Sequence, residues 1–153
     1  MNAQTRSPGV TLVELLVVVT IIGLIAGIGI PNLVAYMQQQ RLQAAALNLA
    51  NHLNAIRLLA MLKGVPHEIQ LKDFEHGNYY QAVESNGDRI VSGIGRVMLN
   101  REFAGIKLVK IPAFGKLKFS PAGTSASTTI ELEGNQKTRI KIIVSNGRVR
   151  IDS

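Results

Sequence analysis

The sequence predicts an α+β protein in which a long N-terminal helix, transmembrane in its first half, packs against a globular domain of antiparallel β-sheet. Three observations carry that prediction. Residues 10–30 form a 21-residue apolar run whose only polar side chains are those of Thr11, Glu14 and Thr20. Residues 31–64 then repeat apolar side chains at helical spacing, and from Val65 onward the period falls to two, with Gly, Asn and Pro between short runs. The predicted organisation is a transmembrane helix over 10–30, its amphipathic continuation over 31–64 and a β-rich domain over 65–153.

At about 1.5 Å per residue the apolar run makes roughly 30 Å of helix, enough to cross a bilayer core. Glu14 is the anomaly, because a charge at bilayer depth costs about 2.5–3.5 kcal/mol on insertion scales and calls for a partner. An ordinary secretory signal has a basic start and about 7–15 apolar residues. Here Arg6 is the only basic residue among the first nine, the run is longer, and Glu14 interrupts it. Ala26, Gly27 and Gly29 leave conventional cleavage near its end as an alternative. Gly23, Gly27 and Gly29 before Pro31 predict the softest part of the helix, since Gly costs a helix interior about 1 kcal/mol and Pro about 3.

Beyond Pro31, Leu42, Ala45, Leu49, Leu53, Ile56 and Leu59 recur at three- and four-residue steps, a stripe that requires burial, with Gln, Asn and Arg on the other face. Gly64 and Pro66 mark the stop. One helix over about 10–63 would run roughly 80 Å. Nine short strands are expected after it: VPHEIQL, NYYQAVE, DRIVSG, GRVMLN, GIKLVKI, GKLKFS, TTIELEG, TRIKIIV and GRVRI. A sheet or pair of sheets covering the carboxyl half of the helix follows.

The net charge of +7 is unevenly placed: residues 101–153 hold ten Lys/Arg against four Asp/Glu, while residues 31–100 are nearly neutral. A basic carboxyl third favours anionic partners, or serves as a solubilising surface. The absence of cysteine excludes disulfides, thiolate metal sites and a cysteine nucleophile. His52, His67 and His76 lack partners at metal-ligand spacing, and no paired carboxylates or Ser-His-Asp set can be assembled. The expectation is a protein with no enzymatic activity, cofactor, metal or small-molecule substrate.

At the carboxyl end, Asn146-Gly147 is a type I′ hairpin signal between TRIKIIV and GRVRI. Alternation predicts Arg148 and Arg150 on one face, roughly 7 Å apart, with Val149 and Ile151 on the core side. Arg139 and Lys141 alternate on the paired strand, so a basic cluster across the hairpin is expected. Contacts from it would be directed at phosphates, salt-sensitive and indifferent to base sequence. The competing reading is structural: charges on an outer strand are a common defence against edge-to-edge aggregation.

The pattern GVTLVELLVVV, with Gly9 before the apolar run, Glu14 five residues after it and Pro31 at the far end, resembles the class III signal of type IV pilins and pseudopilins. The resemblance implies a leader peptide over 1–9, cleavage by prepilin peptidase between Gly9 and Val10, N-methylation of Val10 and a filament-core role for the helix over 10–30. A Val at the first mature position, commonly Phe, is a departure. With the new α-amino group cationic at neutral pH, Glu14 of one subunit can pair with the Val10 ammonium of its neighbour, making it a register device for a filament. The helix segment RLQAAALNLANHLNAIRLLAMLKG and the tail from LKFSPAGTS to GRVRI together resemble the GspH/FimT family of minor pseudopilins. That resemblance implies a pilin-like fold and a single-pass protein of the inner membrane with a periplasmic carboxyl-terminal domain. It also implies partners among other pilins, in a type II secretion pseudopilus or a type IV pilus. DNA-binding members carry a carboxyl-terminal G-R-x-R motif, matched here by Gly147, Arg148 and Arg150. The resemblance thus makes DNA an expected partner during DNA uptake. The alternative is a solitary membrane-anchored periplasmic binding domain that does not polymerise.

Overall fold

A computed structural model describes residues 9–84, 90–91 and 93–152. The predicted leader therefore lies outside the described residues, except for Gly9. The chain divides into two units, Met1–Met37 and Gln38–Ser153, and helix α1, Leu12–Lys63, contributes to both.

In the first unit α1 begins with a cap that sequence reasoning overlooked. Thr11 Oγ1 accepts the N–H of Glu14 at 3.2 Å, and Thr11 C=O accepts that of Leu15. Thr11 and Glu14 thus stand in the T-x-x-E spacing of a capping box, with the acidic side chain in the first turn, where the helix dipole favours it. The hydroxyl of Thr20 donates to Leu16 C=O at 2.8 Å, which satisfies it within the helix. The apolar side chains of this part, Leu12 to Ile25 among them, are exposed. α1 is long and apolar enough to cross a membrane.

The second unit is built on the helical stripe. Leu42, Ala45, Leu49, Leu53 and Ile56 are buried as the spacing predicts, joined by Ala46 and Ala60, while Leu59 is half-buried. Gly64, at φ +65°, turns the chain out of the helix. Among the described residues eight strands follow: β1 His67–Lys72, β2 Tyr79–Glu84, β3 Arg96–Met98, β4 Lys107–Lys110, β5 Lys116–Phe119, β6 Thr128–Glu133, β7 Arg139–Ser145 and β8 Arg148–Asp152. They form two four-stranded sheets, ordered β3-β2-β1-β5 and β4-β6-β7-β8, with every strand pair antiparallel. Ile69, Leu71, Tyr80 and Phe119 from the first sheet share one core with Leu108, Ile130, Leu132, Ile142 and Val144 from the second and with the helical stripe.

Three details depart from the expected strands. GRVMLN is strand only over Arg96–Met98; Leu99–Glu102 forms a short helix, α2, that carries Leu99 into the core. DRIVSG shows one bridge, Val83 to Ile90, while its Asp88, Arg89 and Ser92 lie outside the described residues. Asn78, read as the first residue of NYYQAVE, is instead a buried strap at φ +52°. Its amide nitrogen donates to Ile106 C=O at 2.8 Å and to Asn100 Oδ1 at 2.5 Å, and its Oδ1 accepts the N–H of Leu108 at 2.9 Å. One side chain therefore ties the start of β2 to β4 in the other sheet.

Candidate nucleic-acid interface and processing site

The hairpin between β7 and β8 forms as its turn dipeptide predicts. Asn146 and Gly147 have φ of +48° and +79°, and Ser145 pairs with Arg148 across a two-residue loop. Its placement depends on a second turn, residues 120–124, where Gly123 N–H donates to Ser120 C=O at 2.8 Å. Gly147 donates its N–H to Ser125 Oγ at 3.1 Å. On the other side of that turn, Arg57 of α1 donates through Nε to Gly123 C=O at 2.9 Å. The tail glycines are therefore packing requirements. A Cβ on Gly147 would lie 2.0 Å from Gly123 O, and one on Gly123 would lie 2.6 Å from Met61 Sδ.

Arg148 and Arg150 are exposed on β8, the edge strand of its sheet. Their cross-strand partners are the neutral Ser145 and Ile143. Val149 packs against the core as expected, but Ile151 is 38% exposed. Ile151 belongs to the core side only as part of a rim: it borders a cavity of about 240 Å3 with Leu47 and Ile140, and among the described residues no further strand lies beyond β8 to cover it.

The expected four-residue basic cluster is redistributed. Arg139 and Lys141 do lie on the exposed side of β7, yet Arg139 Nε donates to Glu133 Oε2 at 2.8 Å, with Glu131 Oε2 4.0 Å from its Nη1. Lys141 stands opposite Asp152 on one side and Glu131 on the other. Glu131, Arg139, Lys141 and Asp152 together line one cavity of mixed charge. Arg148 and Arg150 instead share a cavity of about 480 Å3 with Asn54 and Arg57 of α1. The sequence pattern places Arg57 on the polar face of the helix, and no local signal distinguishes it from its solvated neighbours.

His52 and His67 pack within the domain, while His76 is exposed beside Asp73. His67 is fully buried, with Nδ1 2.9 Å from Val65 C=O and Nε2 3.7 Å from Glu84 Oε1. His52 Nδ1 lies 2.9 Å from Tyr80 Oη, whose hydroxyl donates to Asn48 Oδ1 at 2.6 Å, so the imidazole Nδ1–H is the donor of that contact. Burial lowers the His52 pKa, an effect that the Glu102 charge opposes. Burial, reinforced by Glu102, pushes the Tyr80 hydroxyl above the ordinary tyrosine range. The hydrogen bond from His76 holds the Asp73 carboxyl below the usual carboxylate range. Among the described residues no group of three His, Asp or Glu could hold a metal ion.

At the other end, Gly9 and Val10 are exposed immediately before the capped start of α1. Glu14 is exposed, and Pro31 lies within α1.

Residues 5–30 match the family model described as the prokaryotic N-terminal methylation motif. No curated protein matches the chain. Among solved structures, the Pseudomonas aeruginosa type IV minor pilin FimU is similar in two crystal forms. One has a TM-score of 0.61 at 19% identity, covering 77% of this chain and 92% of that one. The other has a TM-score of 0.58 at 21% identity, covering 73% and 93%. The minor pseudopilin EpsH from the type 2 secretion system of Vibrio cholerae gives a TM-score of 0.58 at 12% identity, covering 74% of this chain and 97% of that one. The chain thus carries a methylation motif at its N-terminus and has a pilin-like α+β fold.

Proposed function

We propose that this pilin-like chain is a minor pilin or pseudopilin of the GspH/FimT kind, made as an inner-membrane precursor with its carboxyl-terminal domain in the periplasm and inserted into a pilus-like filament. The observation that carries the reading is the join of the methylation motif to α1. An exposed Gly9-Val10 bond precedes a capped helix whose large apolar side chains from Leu12 to Ile25 are exposed among the described residues. Prepilin peptidase would cut after Gly9, the Val10 amine would be methylated, and residues 10–30 would pass from lipid into the packed helices of a filament.

Glu14 has two roles in this account. Its backbone N–H completes the Thr11 cap, and its carboxylate meets the Val10 ammonium of a neighbouring subunit, offsetting the desolvation of both charges. Pro31 lies within α1, where the apolar stretch ends. Glu14→Leu tests the carboxylate separately from the cap, because the backbone bond survives. The variant is expected to be cleaved yet to enter filaments poorly; unchanged incorporation would refute the role. A solitary anchored domain that never polymerises is the competing account, and it would keep its leader.

A second reading concerns the carboxyl end: the hairpin binds DNA during uptake. It is favoured by Arg148 and Arg150 projecting from an exposed edge strand opposite neutral neighbours, in a Gly147-Arg148-Val149-Arg150 sequence. Arg139 and Lys141 are secondary here, because carboxylates stand beside both. The double variant Arg148→Gln/Arg150→Gln should abolish retardation of DNA in a gel at low salt. An undiminished shift would remove the assignment. FimU is a type IV minor pilin and EpsH a minor pseudopilin of a type 2 secretion system; for this chain, a DNA-binding hairpin favours the pilus.

A further inference from the structure

We propose that the cleft between α1 and β8 is a phosphodiester-binding site in which Arg57, on the helix, is the third cation beside Arg148 and Arg150. The inference rests on the DNA reading above and moves its centre from the outer face of the β7–β8 hairpin to the strand edge. Arg57, Asn54, Ser145, Arg148, Val149 and Arg150 line a single cavity of about 480 Å3. All three arginines line it, and among the described residues no carboxylate lies within 4.0 Å of any of them. The outer face offers no such field, since Arg139 is held by Glu133 and Lys141 stands between Glu131 and Asp152.

The geometry also explains why an arginine sits at position 57. A guanidinium has five N–H donors in a fixed fork. Its Nε–H is taken by Gly123 C=O at 2.9 Å, which fixes the plane of the group and leaves the terminal nitrogens for a ligand. Half-burial of Arg57 puts this preset charge in a setting less screened than that of an exposed lysine. Asn54 and Ser145 add neutral hydrogen-bonding groups, so the cleft matches one phosphodiester held between helix and strand while Arg148 and Arg150 extend along the backbone. Such a site reads charge and backbone shape and ignores the bases.

The test is fluorescence anisotropy of the peptidase-processed full chain in detergent with a labelled oligonucleotide, titrated across a range of salt. Each phosphate contact removed lowers the slope of log K against log salt by about 0.7 for single strands and 0.9 for duplex. Arg57→Gln keeps a donor for Gly123 and loses the charge; it should weaken binding and flatten the slope by that amount, while Lys118→Gln, at an exposed position on β5 of the other sheet, leaves both unchanged. Asn54→Glu, at an exposed position, places a carboxylate in the cleft without touching the Arg57 bond and should abolish binding even if Arg57→Gln proves poorly folded.

Wild-type behaviour of Asn54→Glu, or of a folded Arg57→Gln, alongside loss in Arg148→Gln/Arg150→Gln would overturn the cleft while leaving the hairpin reading intact. No binding by the wild type would overturn both. A polyglutamate peptide that binds as tightly as the oligonucleotide would overturn the phosphodiester assignment in favour of an acidic protein surface.

Discussion

Gly147 in the β7–β8 turn rests directly on the backbone of Gly123, so closely that a Cβ on Gly147 would stand 2.0 Å from the Gly123 carbonyl oxygen. Gly123 is in turn held by Arg57 of the helix. The tail motif is therefore a structural joint as well as a display of charge. Gly147→Ala must both adopt φ near +79° and displace a backbone carbonyl. It should destabilise the fold by roughly 2–4 kcal/mol, read by urea unfolding followed by circular dichroism. A loss under 1 kcal/mol would show that the two turns can separate freely.

Asn78 is the next critical joint. Asn78→Ala leaves the buried Leu108 N–H and Ile106 C=O without their side-chain partner. At about 1–3 kcal/mol for each unsatisfied group, a loss of about 3 kcal/mol is expected. Hydrogen exchange at Leu108 should rise more than at Leu49, which lies in the helical stripe. Equal changes at the two sites would contradict the local strap.

Phe114 is 98% exposed and sits at φ +60°, a conformation that costs a bulky residue about 1–2 kcal/mol with no packing to offset it. Phe114→Asn, which tolerates that region, should raise stability by about 0.5–1 kcal/mol in the same unfolding measurement. Destabilisation would mean that the ring makes contacts after all.

Acid should weaken the domain through His52. Its folded pKa is lowered from 6.5, first by burial and against the opposing charge of Glu102, so the native state binds fewer protons than the unfolded chain. The contribution is fully present above pH 6.5 and is lost as pH falls through the lower folded value. His52→Gln should flatten the thermal midpoint over that window, and a profile parallel to the wild type would assign the acid sensitivity elsewhere.

Much of this architecture was legible because it depends on local periodicity and turn chemistry. The stripe from Leu42 to Ile56 is buried, Gly64 ends α1, and Asn146-Gly147 forms its tight turn because positive φ is available there. What escaped depends on register and long-range packing. Nothing in the string says that Arg139 pairs opposite Glu133 or that Lys141 falls opposite Asp152, and those pairings are what neutralise half of the expected basic cluster. Ile151 alternates correctly but sits at an edge, where alternation does not guarantee cover. Arg57 looks like any polar helix residue until the fold brings β8 beside it. Thr11 is different: its T-x-x-E spacing with Glu14 is a local capping signal that the sequence does carry.

The central claim, that this chain is a processed filament subunit, is tested most directly by mass spectrometry of the N-terminal peptide of the protein recovered from sheared filaments. The account predicts a peptide that begins at Val10 and carries one N-methyl group. Absence from the filaments, with the membrane-bound protein still beginning at Met1, would contradict it.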